Sequence, residues 1–263
     1  AATMHPSAYR RLIENVDTSG EETFVTPEQV EAITTLKGPS DKIKDGRVVT
    51  SVDLGIKKDS TSVATCISLP TEKGQQPRIH LLCLDVLSGS IDNPVDYKNI
   101  YNIVTHHKEK YNSKVIQFDP WNAQVFIQSM PRAVEWKFTA ARVAELTQVL
   151  YQSIINKNLA IYPHAASAMQ AGEDWDLQRE MREAVLKDMS YGQRIDHRSN
   201  GYTDRIMSVG MCVHYLMIEA GLPHTKQLVT PKEKLDDFDS MKICKEWDEA
   251  FGNQKNTMGL IKI

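Results

Sequence analysis

Between Arg47 and Gly89 the chain carries three β-rich runs in succession, separated only by short turn-forming segments, and this restricts the fold more than any other feature. The first two lie within GRVVTSVDLGIKKDSTSVATCISL, on either side of GIKKDS, and the third is RIHLLCLDVLSG. Runs so close in sequence pair as an antiparallel meander through hairpin connections. After Gly89 the period changes. Val95, Ile100, Ile103 and Val104 recur at roughly helical spacing, KVIQFD is a short apolar strand, and Pro120 opens a further helix. VEWKFT reads as a strand and AARVAELTQVLYQSIINKN as a long helix with Val143, Leu146, Leu150 and Ile154 on one face, while LAIYP is short and apolar. WDLQREMREAVLKDM reads as helical, and Ile206, Val209, Val213, Leu216 and Ala220 form the stripe of a closing helix.

A three-strand meander followed by alternating β and α elements is the chain order of an α/β, ribonuclease H-like fold: a mixed β-sheet, with antiparallel and parallel strands, flanked by helices on both faces. We assign 47–221 to this domain. Residues 1–46 read as a polar linker or arm containing one helix, with Thr26 as N-cap, Pro27 at the first helical position and Gln29 completing a capping box. Residues 222–263 read as a polar, partly helical extension. No apolar stretch approaches the ~20 residues needed to cross a bilayer. Cys66, Cys83, Cys212 and Cys244 include no CxxC pair, and buried reduced thiols are the expectation for them. His106, His107 and His164 read as surface or helix-end residues. Thirty-one basic against 34 acidic residues give a net charge of −3, which is not the balance of a dedicated high-affinity DNA binder.

Three aspartates stand out. Asp53 closes VVTSVD, where alternation places it on one side with Val49 and Ser51. A charge at the end of an apolar strand is costly unless it is paired or holds a metal, and Gly55 just beyond allows close approach. Asp119 ends KVIQFD, and Pro120 forces it out of helical geometry at the strand mouth, where ligands of open α/β sheets gather. It is also suited to cap the next helix. Asp204 lies in the first turn of the closing helix, where an acid favours the macrodipole. Oxygen-only donors suit a hard cation, and like charges brought together repel without one.

In this order, the residues resemble the C-terminal nuclease domain of the large terminase subunit of tailed bacteriophages. VVTSVDLGIKKDSTSVA resembles its first metal-binding strand and hairpin, with Asp59 and Thr61 at positions where the family often has similar residues. KVIQFDPWNAQVFIQSM resembles the second acidic strand and its helix. VAELTQVLYQSIINKNLAIYP resembles the helix and short strand that follow. RIDHRSNGYTDRIMSVGM resembles the last acidic site, although Thr203 stands where the family usually has an acid. The likeness runs from about Arg47 to Ala220, and 4–29 resembles the segment joining the packaging motor to the nuclease.

The resemblance implies an endonuclease that cuts concatemeric double-stranded viral DNA in the cytoplasm of an infected bacterial host. It also implies two Mg²⁺ or Mn²⁺ ions held by Asp53, Asp119 and Asp204 as catalytic and metal-binding residues, and the small terminase subunit and portal protein as partners. Asp196 and His197 are candidates for an additional ligand. Lys57, Lys58, Arg198 and Arg205 are candidates for DNA contacts. No GxxxxGK[ST] phosphate loop occurs, so the ATPase motor of the full family protein is absent from this chain.

Three other readings stay open. An actin-like ATPase would share the topology and the first DxG, but no DxG follows Asp119. A Holliday-junction resolvase of the same fold would keep the chemistry and act as a dimer on branched DNA. A non-catalytic packaging docking module would keep the fold and fail to cleave DNA.

Overall fold

The computed structural model describes residues 22–219, apart from 42–44, 57–59, 72–74, 91, 121–122, 171, 191 and 199–200. In chain order the elements are β1 (Glu22–Thr23), α1 (Pro27–Ile33), β2 (Arg47–Asp53), β3 (Thr61–Leu69), β4 (Arg78–Leu87), α2 (Tyr97–Tyr111), β5 (Val115–Phe118), α3 (Gln124–Ser129), β6 (Ala133–Glu135), α4 (Ala140–Ile155) and β7 (Leu159–Ala160). There follow β8 (Ala168–Gln170), β9 (Glu173–Trp175), α5 (Leu177–Glu183), β10 (Val185–Met189), β11 (Gly192–Asp196) and α6 (Asp204–His214), which runs on into a π-helical turn, Tyr215–Glu219.

The central sheet has six strands in the order β6-β5-β2-β3-β4-β7. β2, β3 and β4 form the antiparallel meander, while β5 joins β2 in parallel and β6 joins β5 in parallel. Alternation along β2 and β3 sends Val49, Ala64 and Cys66 into a core shared with Ile206, Val209, Cys212 and Val213 of α6. It sends Val52 and Val63 into a second core with Ile100 and Val104 of α2. Helices thus cover both faces, as the meander and the change of period predict. A β-bulge interrupts the β3–β4 pairing, where Thr65 opposes Cys83 but Cys66 opposes Leu81. Leu82 is the extra residue, so the parity of β4 switches there.

Two sequence expectations change. The helix expected over WDLQREMREAVLKDM ends at Glu183, because Ala184 is extended and Val185–Met189 pair with β11 in a separate three-stranded sheet, β1-β10-β11. The described part of the expected arm is built into the core: Phe24, Val25, Val30 and Ile33 are buried with α4 and α6, four apolar side chains that a solvated linker would not bury. Its helix does begin with the capping box, the Thr26 N–H donating to Gln29 Oε1 at 2.8 Å and the Gln29 N–H to Thr26 Oγ1 at 3.4 Å. The expected extension 222–263 lies outside the described residues.

Candidate metal centre

The site is set by strand direction. β2 and β5 are parallel neighbours, with Val52 opposite Phe118, so their carboxyl ends lie side by side. Asp53 is the last residue of β2, and Asp119 follows β5 directly, its N–H donating to Val52 O at 3.0 Å. Asp119 does not cap α3, whose N-cap is Ala123, four residues later, with no side-chain cap.

Asp204 reaches the same end of the sheet because α6 lies along β2 and β3. The contact repeats at every turn of its inner face. The Ser60 N–H donates to Asp204 Oδ2 at 3.2 Å, the Ser208 and Ser62 hydroxyls meet at 2.8 Å, and the Cys212 thiol donates to Ala64 O at 3.4 Å. Spacing of i, i+4 and i+8 keeps the three on one helix face. Thr61 Oγ1 donates to Gly55 O at 2.8 Å and ties the start of β3 to the segment after Asp53.

The electrostatics confirm the convergence. Burial pushes the Asp53 carboxyl well above the usual carboxylate range, and the negative charges of Asp204 and Asp119 push it further. A side-chain hydrogen bond that the protonated Asp53 donates to Asp119 acts in the same direction, as does the charge of Glu180. Asp53 nevertheless keeps part of its surface exposed, so it borders solvent. Oxygen-only donors whose charges raise the proton affinity of Asp53 fit a hard divalent cation, which would relieve that repulsion.

Against known proteins, no protein-family model matches the sequence, nor does any curated protein. Solved structures do match. The large terminase of bacteriophage HK97 superposes with a TM-score of 0.57 at 15% identity, over 80% of this chain and 47% of that one. The large terminase nuclease of thermophilic phage G20c with bound magnesium gives 0.52 at 14% identity, over 73% of this chain and 96% of that one. The chain has the fold of a large-terminase nuclease domain. It spans about half the length of the HK97 terminase it matches and nearly all of the G20c nuclease.

Within that fold, the other expected site residues fall in different places. Asp196 is bound by Arg194 at 2.5 Å and Lys187 at 3.1 Å. Burial raises its carboxyl, but hydrogen bonds from Arg194, the His197 N–H and Lys187 outweigh this and hold it at about 2. Its charge is therefore already compensated. His197 is exposed, its ring against Arg198 O at 2.9 Å, and Arg198 is exposed as well. Lys57, Lys58 and Asp59 lie outside the described residues. Arg205 must be removed from the expected DNA contacts. Its side chain is fully buried, and its guanidinium donates to Glu180, Gln170, Ala166 O and Trp175 O.

Glu180 is the residue that sequence reasoning missed. It is fully buried on α5, and its Oε2 accepts the N–H groups of Arg205 and Ile206 at 2.9 and 3.1 Å. It thereby caps α6, where Thr203 at the N-cap position makes no side-chain cap. Burial raises the Glu180 carboxyl to about 7, Arg205 pulling it down and Asp204 pushing it up. The signal was legible: Glu180 falls on the Leu177–Met181 face of its helix, where a charge requires a partner.

Proposed function

We propose that this chain is a metal-dependent endonuclease that hydrolyses phosphodiester bonds of double-stranded viral DNA concatemers during genome packaging. The observation that carries the reading is the convergence of Asp53, Asp119 and Asp204 at one end of the sheet, with Asp53 held far above its normal range by burial and, beyond that, by the charges of the other two. The fold shared with terminase nucleases, one of them solved with magnesium, supports it. Asp53 and Asp119 would hold the cation from the sheet, and Asp204 from the helix. When bound, two Mg²⁺ or Mn²⁺ ions would supply an activated water and stabilise the leaving oxygen.

The chain's own residues perform the positioning. Ser60 fixes one oxygen of Asp204, and Glu180 with Arg205 fixes the helix end that bears it. The partners of this reading are double-stranded DNA, an ATPase motor on another segment or chain, a small terminase subunit and a portal protein, in the cytoplasm of an infected bacterium. Purified protein incubated with plasmid in Mg²⁺ or Mn²⁺ tests it. Nicking or linearisation that is lost with chelator and in Asp53→Asn, Asp119→Asn and Asp204→Asn, each alone, is the expected result. Cleavage that survives all three substitutions would place the activity elsewhere.

A further inference from the structure

The opposite face of the sheet carries a second cluster of ligand-type side chains. His107 is fully buried, not at the surface as its sequence context implied, and it lies on α2 against β3 and β4. Cys83 and Asp85 come from β4. The bulge at Leu82 brings them there: before it, Ile79 and Leu81 face the α6 core, and after it, Leu84 does, leaving Cys83 and Asp85 on the α2 side. Without the extra residue both ligand-type side chains would point into the wrong core. One atom each of Cys83, Asp85 and His107 lies within 4.8 Å of the other two. Tetrahedral zinc bonds of about 2.0–2.3 Å set ligand atoms roughly 3.3–3.8 Å apart, so the three side chains must adjust around an ion.

We propose that Cys83 Sγ, a carboxylate oxygen of Asp85 and Nε2 of His107 form a binding site for a borderline-soft divalent cation such as Zn²⁺. Thiolate, imidazole and carboxylate together select such an ion over Mg²⁺. The surroundings fit. His107 Nδ1 meets Thr65 Oγ1 at 2.8 Å, and Thr65 in turn meets Thr50 Oγ1 at 2.8 Å, so the imidazole is held by its other nitrogen with Nε2 turned to Asp85. Tyr111, one turn further along α2, buries its hydroxyl beside the Cys83 thiol.

The Nε2–Asp85 separation of 2.6 Å is that of a hydrogen bond. The ion therefore replaces a proton, and Asp85, with 47% of its side chain exposed, has room to rotate and admit it. Binding of an ion to Sγ displaces the thiol proton of Cys83.

Titration of chelator-stripped, reduced full-length protein with Co²⁺ tests the site, because a near-ultraviolet thiolate-to-cobalt charge-transfer band reports a cysteine ligand and not the aspartate cluster. The expected band appears in the wild type and in Asp53→Asn, is displaced by Zn²⁺, and is absent in Cys83→Ser. Thr65→Val, which removes only the support of the imidazole, weakens Co²⁺ binding by about 10–100-fold with unchanged circular dichroism. No band in the wild type, or a band that persists in Cys83→Ser, would overturn the proposal.

Discussion

The two faces of the central sheet treat a carboxylate in opposite ways. On the α2 face a hydrogen bond from His107 holds the Asp85 carboxyl below its normal range. On the α6 face burial pushes the Asp53 carboxyl up, and the charges of Asp204 and Asp119 push it further. One acid has found a partner within the protein. The other is surrounded by repulsion that folding does not relieve, and on the proposed function a bound cation would remove it. Asp196 sharpens the contrast, since it is an acid near the same helix whose charge is answered by Arg194 and Lys187. Proximity of acids is thus a poor guide to a metal centre; the sign of their mutual influence is a better one.

The largest effect that can break this contrast is on activity. Replacing Asp53, Asp119 or Asp204 by Asn should lower plasmid cleavage by more than about 100-fold, because even a supporting partner of a metal ligand is worth 10–100-fold. Stability should move the other way: metal-free Asp53→Asn should melt at least about 2 °C above the wild type in thermal unfolding, as repulsion is removed. Next comes Glu180→Ala, which leaves the Arg205 guanidinium buried and without its carboxylate. Chemical denaturation should show a loss of about 3–5 kcal/mol.

Thr65→Val tests the α2 face. It strips the His107 ring of one hydrogen bond and should cost about 1–3 kcal/mol without altering cleavage. The smallest effect belongs to Asp196→Asn. Its lowered carboxyl contributes stability above the unfolded value of about 4 and loses it as the pH falls through about 2. Both basic partners are more than 40% exposed, so the substitution should cost about 1 kcal/mol or less at pH 7, nothing near pH 2, and should change cleavage by no more than about twofold. A large loss of cleavage would return Asp196 to the metal centre.

Much of this was legible beforehand because it rests on local pattern. Alternation in VVTSVD placed Asp53 with Val49 and Ser51, and Pro120 marked the end of β5. The stripe Ile206, Val209, Val213 and Leu216 is buried along α6 as its period requires. What the pattern could not contain were pairings across long separations. Val185 and Leu186 look like a continuation of α5 until Phe24 and β11 compete for the same backbone. Arg205 looks like a cation beside an active-site acid, and only the approach of Glu180 from 25 residues away shows that its charge is used internally. His107 lies in a polar HHKEK run, yet its i−3 and i+4 neighbours, Val104 and Tyr111, are buried, so the ring is turned inward.

The account rests on the carboxylates of Asp53, Asp119 and Asp204 being the place where a hard cation belongs. Anomalous diffraction from crystals equilibrated with Mn²⁺ tests that most directly. The prediction is manganese peaks between these three side chains, lost in crystals of Asp53→Asn. Saturating Mn²⁺ with no peak among them, or with peaks only at Asp196 or Cys83, would contradict it.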